Sequence, residues 1–249
     1  MGNNLIDPDE VYERILKFCN KDDERRYAQD HKVRLSYTLS KIIPYIKPDM
    51  NIANIGFSIF DPMMRQISKE LSASYYTLVP DKGYMEKFET SQISDLNIID
   101  YDLCSADSRE LKFDVILFYE TLEHLLCPDE LILKNIASII KDGGILLGSV
   151  PNALSIGRRL SMLTGKNIHW PKKDIVNGVF NGYGHIREYV IYEMRILLAG
   201  EFENIKIYGY SPYGSKIEGN LLNILPPSFR STIFFEGKKR RAYDHQVGI

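Results

Sequence analysis

The sequence predicts an α/β fold built on a mostly parallel sheet, and three observations carry that prediction. Short apolar segments alternate with amphipathic helical stretches from residue 51 onward. Two of the segments, FDVILFY (113–119) and GILLGSV (144–150), are nearly all apolar, as strands covered on both faces are. The segments close on turn residues, at Gly56, Pro80-Asp81 and Pro151-Asn152. A β-α-β rhythm of this kind implies parallel strands joined by right-handed crossovers. At 249 residues the chain is expected to be one α/β domain with additions.

The elements follow in order. Asp7 caps a helix over 7–19, with Pro8 in its first turn, Glu10 completing an Asp-x-x-Glu box, and Val11, Ile15 and Phe18 on one face. After the polar stretch KDDERRYAQD, a second helix is expected from His31 to Ile43, with Leu35, Leu39 and Ile42 as its stripe and Pro44 as its stop. Residues 1–50 thus form an N-terminal helical cap. NIANI (51–55), YYTLV (75–79), LNIID (96–100), FDVILFY and GILLGSV are the strands. Helices are expected over 62–71 and 129–141, the second ended by Gly143-Gly144. The stretch 153–185, which holds the only tryptophan, interrupts the rhythm as a segment covering a site does. A helix resumes over 189–198. ENIKIYGY (203–210) alternates as a half-exposed strand, and STIFFEG (231–237) is placed to pair with it antiparallel. The core domain then runs over 51–237, and 238–249 is a polar tail beginning KKRR, read as a solvated end.

Composition narrows the function. Net charge is −2, so no global field favours nucleic acid. No apolar run reaches the roughly 18 residues of a membrane span, and the N-terminus lacks the pattern of a secretory signal. Three scattered cysteines without a CxxC argue against a disulfide framework or a zinc site, and read as thiols of a reducing cytoplasm. The expectation is a cytoplasmic enzyme.

Ligands of an open parallel sheet bind beyond the carboxyl ends of its strands. Those ends carry Gly56, Phe57, Ser58 and Asp61, then Asp81, Asp102-Leu103, Tyr119-Glu120 with Glu123-His124, and Pro151-Asn152. Acids dominate. Neither GxGxxG nor GxxxxGK[ST] occurs, so a phosphate-cradling dinucleotide or ATP site is not expected. Carboxylates suit a ligand with ribose hydroxyls, an adenine amino group and a positive centre, such as S-adenosylmethionine.

Here the order of Gly56, Asp81, Asp102-Leu103, FDVILFYETLEHL (113–125) and KDGGILLGSVPN (141–152) resembles the class I S-adenosylmethionine-dependent methyltransferases, over about residues 30–237. GHIREYVIYEMRILLAGEF (184–202) is similar to the C-terminal stretch of their small-molecule subgroup. The resemblance implies a doubly wound, Rossmann-like sheet of seven strands with an antiparallel last hairpin. It also implies that Gly56, with Phe57 and Ser58, approaches the methionine part of the cofactor. Asp81 would accept from the ribose hydroxyls and Asp102 from the adenine amino group. Leu103 would donate its amide, and Tyr119 and Glu120 would line the methionine end.

One loop departs from the family pattern. Where an acidic-x-Gly-x-Gly-x-Gly loop is usual, the chain has Asn54-Ile55-Gly56-Phe57-Ser58-Ile59-Phe60, and bulky residues block close backbone approach. This motivates an alternative reading, a non-catalytic methyltransferase-like subunit. For the enzyme, His185 and His124 are the candidate catalytic groups, since imidazole titrates near neutral pH and suits removal of a hydroxyl or ammonium proton. Tyr183, Arg187, Trp170 and His169 are candidates for binding a small-molecule acceptor, with a sugar or surface-polysaccharide precursor favoured. Glu120 and His124 lie four apart, but no third ligand is evident, so no metal is expected.

Overall fold

The computed structural model describes residues 6–80, 95–105, 110–169, 184–211 and 225–241. Asp81, Trp170, Tyr183 and part of the covering segment lie outside them. The strands are β1 (Asn51–Ile55), β2 (Ser74–Val79), β3 (Asn97–Asp100), β4 (Phe113–Tyr119), β5 (Ile140–Pro151), β6 (Phe202–Tyr210) and β7 (Thr232–Lys239). They form one seven-stranded sheet in the order β3-β2-β1-β4-β5-β7-β6. β2 pairs parallel with β1 and β3, and β1 parallel with β4. β7 runs antiparallel between β5 and β6. This is the mostly parallel sheet with an antiparallel last hairpin that the sequence predicts.

The chain divides into two compact units, residues 1–117 with 139–141, and residues 118–138 with 142–249. The first begins with helix α1 (Pro8–Leu16), whose Asp7 side chain accepts from the Asp9 amide at 3.0 Å. Val11 and Ile15 are its buried face, set against α2 (Asp22–Ile42). α2 starts nine residues before the expected His31, so the polar stretch is helical. Its acids explain the difference: Asp22, Asp23 and Glu24 fill the first turn, where a helix favours negative charge. Glu24 also accepts from the Asn20 and Lys21 amides at 2.8 and 3.2 Å, closing orphan donors that an apolar-periodicity argument does not see. Helix α3 (Asp61–Glu70) follows β1 and buries Met63, Met64 and Ile67. Arg14 grips Glu70 with two bonds of 3.0 and 3.1 Å, tying α1 to α3.

The second unit holds α4 (Asp129–Ile139, its last residue in the first unit), α5 (Ile156–Leu163) and α6 (Ile191–Ala199). α4 ends earlier than expected and β5 begins at Ile140. Ile139 and Ile140 are both buried, so apolar character does not separate helix end from strand start. Gly143 takes its positive φ of +77° inside the strand rather than at a helix cap. α5 was not expected; it lies in the stretch read as a covering segment and buries none of its residues. α6 begins two residues later than predicted because Tyr189 pairs with Asn152 in an isolated bridge. Gly148 of β5 admits no side chain, since a Cβ there would stand 2.3 Å from the Phe235 ring and 2.4 Å from the Phe118 carbonyl.

Cys19 is a buried free thiol, but Cys104 and Cys127 are disulfide-bonded, against the expectation of three thiols. Spacing along a chain does not determine connectivity. No helix among the described residues is long and apolar enough to cross a membrane.

Candidate active site

In the first unit the loop after β1 turns on Gly56, at φ +86°, with its amide bonded to the Leu78 carbonyl at 2.9 Å. Only glycine adopts that backbone at little cost. The loop is then organised by Asp61, a fully buried carboxylate. Its oxygens accept from the Ser58 amide at 2.8 Å, the Thr77 hydroxyl at 2.8 Å, the Tyr75 hydroxyl at 3.1 Å, and the Ser58 hydroxyl and Asn54 amide group at 3.1–3.2 Å. Burial raises the Asp61 pKa above the ordinary carboxyl range, and these bonds oppose the rise. Asn54 also donates to the Gly56 carbonyl at 2.8 Å. A carboxylate seven positions downstream thus anchors the loop that begins at Asn54, where the family usually has an acid. Phe57 does not stand in the way of the turn: it packs with Val79 and Leu96 in a small apolar cluster. Phe60 is buried as well.

At the end of β3, Asp102 is exposed and its Oδ1 accepts from the Cys104 amide at 2.9 Å, forming a local turn. Leu103 beside it is buried. The Tyr101 amide bonds the Val79 carbonyl at 2.6 Å, which fixes where this turn leaves the sheet.

In the second unit the end of β4 is held tightly. Glu120 sits at φ +50°, a conformation uncommon for a residue with a side chain. It is secured twice by β5: its amide donates to the Ser149 carbonyl at 2.9 Å, and the Ser149 hydroxyl donates to its carboxylate at 2.6 Å. Strain of this kind persists only where the surroundings over-determine it, and it clusters at functional sites. Tyr119 rests its ring 6.2 Å from that of Phe234.

A 3₁₀ turn, Leu122–His124, follows. Glu123 is buried, and its carbonyl accepts from the Ile186 amide at 2.8 Å. His124 Nδ1 lies 2.9 Å from the Gly184 carbonyl. A carbonyl only accepts, so Nδ1 carries the proton and Nε2 the lone pair. His185 Nδ1 lies 3.4 Å from the Glu188 carboxylate, which orients its ring the same way. The two imidazoles meet edge to face at 4.9 Å, and His124 Nε2 is 3.9 Å from Glu123 Oε1. Burial above all, with the neighbouring His185, pulls the His124 pKa down, against the bond that the ring donates to the Gly184 carbonyl. Glu123, His124 and His185 each offer one ligand atom within 4.8 Å of the others.

The structure therefore brings together His124 and His185, which lie far apart in sequence. Arg187 is half-exposed and engaged elsewhere, on Asp129 at 3.0 Å and on Glu193. Tyr189 donates to the same Asp129 at 2.7 Å, and burial and that carboxylate push its hydroxyl pKa up. His169 is exposed, its amide bonded to the Asn167 side chain. Asn152, one of the strand-end residues, is a structural clamp: its amide group donates to the Ser228 and Arg230 carbonyls at 2.9 and 2.7 Å. Sequence reasoning missed Asp61 as the loop's anchor, Ser149 as the partner of Glu120, and Glu123 and Glu188 as partners of the histidines. Their only signal was position, as polar residues at or just after strand ends.

A methyltransferase-domain family profile matches residues 46–191. No curated protein sequence matches the chain. Solved structures do. A SAM-dependent methyltransferase from Archaeoglobus fulgidus is 14% identical over 86% of this chain and 99% of that one, with a TM-score of 0.54. A possible histamine N-methyltransferase from Thermotoga maritima is 16% identical over 93% and 99%, with a TM-score of 0.56. A methyltransferase of the same dependence from Listeria monocytogenes is 17% identical over 83% and 98%, with a TM-score of 0.51. Family match and strand order agree: the chain belongs to the class I S-adenosylmethionine-dependent methyltransferases, whose cofactor is S-adenosylmethionine.

Proposed function

We propose that the chain transfers the methyl group of S-adenosylmethionine to an oxygen or nitrogen of a small-molecule acceptor, with a sugar or surface-polysaccharide precursor as the acceptor class. The observation that carries this reading is the pair of imidazoles, His124 and His185, each held through Nδ1 by an oxygen acceptor. Proton-accepting groups are needed for hydroxyl or ammonium nucleophiles that are protonated at working pH. A net charge of −2 favours a small acceptor over a polyanionic nucleic acid.

In this reading the cofactor is held by the strand-end groups. The turn at Gly56, Phe57 and Ser58 takes the methionine part. Asp102 accepts from the adenine amino group, with the Leu103 amide beside it, and Asp81 serves the ribose. Tyr119 and the fixed Glu120 serve the methionine end, and Tyr183, Arg187, Trp170 and His169 serve the acceptor. When bound, the cofactor would supply an electrophilic methyl group on its sulfonium; the acceptor's lone pair would take that methyl in line, the carbon–sulfur electron pair would stay on sulfur, and S-adenosylhomocysteine would be the product. The acceptor's proton passes to Nε2 of His185. The sulfonium is already a good electrophile, so most of the work is alignment, which contributes on the order of 7 kcal/mol or more.

A panel of sugar phosphates and nucleotide sugars with labelled cofactor tests the acceptor class. Label appearing on none of them, but on an amine or a nucleic acid, would overturn it. The non-catalytic alternative has one observation in its favour, the two buried phenylalanines of the altered loop. It predicts that S-adenosylhomocysteine does not bind.

A further inference from the structure

We propose that Glu123, His124 and His185 form a site for a first-row divalent cation of the zinc type. The sequence showed no third ligand beside Glu120 and His124; the fold supplies two. Glu123 and His124 come from the turn after β4, and His185 from the segment entering α6. Reciprocal bonds lock these two stretches side by side, Ile186 amide to Glu123 carbonyl and His124 ring to Gly184 carbonyl.

The protonation pattern is the one a metal site requires. A ligating histidine donates its other ring N–H to a carbonyl or carboxylate, which fixes the tautomer and aims the lone pair. His124 does this with Gly184 and His185 with Glu188. Both therefore present Nε2, and Glu188 is itself held by Arg158. The third ligand is a carboxylate with almost no exposure, and a buried carboxylate favours a cation beside it. Both imidazoles remain partly accessible, at 26% and 23% of side-chain surface, so an ion has a way in.

Two imidazole nitrogens and one carboxylate oxygen suit zinc, cobalt or iron(II) rather than magnesium or calcium. Three protein ligands also leave a coordination position open. The three atoms stand up to 4.8 Å apart, whereas ligands on one such ion are about 3.3 Å apart. The set must draw in by up to about 1.5 Å as an ion binds.

The site bears on the proposed reaction and, for its role there, rests on that reading. An acceptor hydroxyl on the open position would lose its proton more readily. An imidazole whose lone pair is on an ion takes no proton, so metal content decides which arrangement operates. Binding itself does not depend on methyl transfer.

The test uses the full chain, stripped of metal and titrated with Co²⁺ and Zn²⁺ alone, with visible absorption and metal analysis as readouts. One ion per chain is expected, with a cobalt d–d band. In His185→Ala the band disappears and affinity falls roughly 100-fold or more; in Glu188→Gln, which removes only the outer partner, it falls about 10-fold. His31→Ala, in α2 beside the Tyr27 ring and outside the cluster, changes neither. Circular dichroism shows that each variant is folded. Absence of a stoichiometric ion, or binding indifferent to His185→Ala, overturns the proposal. Calorimetry with S-adenosylhomocysteine on the same stripped chain separates that failure from failure of the methyltransferase reading.

Discussion

Asp61 in the first unit and Glu123 in the second are both buried carboxylates, but opposite chemistry surrounds them. Asp61 accepts from the side chains of Asn54, Ser58, Tyr75 and Thr77 and from a backbone amide. Glu123 faces the imidazoles of His124 and His185. A carboxylate saturated by neutral donors has its lone pairs spent on holding backbone in place. One set against rings that carry their own lone pairs keeps the capacity to take part in proton or metal chemistry. Burial alone would rank the two as equals; their partners make the first a scaffold and place the second in the proposed site.

The largest expected effect tests the second of these roles. His185→Ala should lower methyl transfer roughly 10²- to 10⁴-fold. It should leave stability within about 1 kcal/mol and S-adenosylhomocysteine affinity unchanged, as measured by turnover, urea unfolding and calorimetry. A large loss of stability with little loss of turnover would move the cluster into the scaffold class. Asp61→Ala should do the reverse. Orphaning several buried donors at about 1–3 kcal/mol each should cost about 3 kcal/mol or more in urea unfolding, and should weaken cofactor binding through the loop. If its only defect is in turnover, the contrast between the two carboxylates is wrong.

Two smaller effects sharpen the account of the loop. Gly56→Ala forces a side chain onto φ +86° and should cost about 1–2 kcal/mol, read by thermal unfolding, with weaker S-adenosylhomocysteine binding. The pH dependence of stability gives a second handle. Burial raises the folded Asp61 pKa above 3.8, so the folded chain holds that proton more tightly than the unfolded one. This contribution to stability is full below pH 3.8 and is lost as pH rises through the folded value. Asp61→Asn should remove it, so the stability difference between wild type and variant should change with pH in that direction. A difference flat from pH 3.8 to 7 contradicts the assignment. The smallest effect belongs to Arg187→Ala, an exposed partner of Asp129 and Glu193, at no more than about 1 kcal/mol.

Much of the fold was legible because its strands are short and sharply bounded. NIANI and FDVILFY are strands over the predicted residues, and the last hairpin follows from alternation in ENIKIYGY. Helix boundaries were less legible, since α2 begins on charge and capping rather than on an apolar stripe. The candidate site was legible only as a set of strand-end acids and two histidines. That His124 and His185 meet depends on backbone bonds between residues 60 or so apart, which no local pattern encodes. That Asp61 anchors the loop depends on β2 bringing Tyr75 and Thr77 to it. The loop at 54–60 departs from the family's glycine pattern, which is what motivates the non-catalytic alternative. With the loop's anchor in view, Phe57 packs into the core and Gly56 keeps the turn.

Isothermal titration of the intact chain with S-adenosylhomocysteine bears most directly on the central claim, that this bulky loop still serves a cofactor. Saturable one-to-one binding with a dissociation constant below about 1 mM is the expected result. No heat of binding at millimolar ligand, with the chain folded, contradicts it.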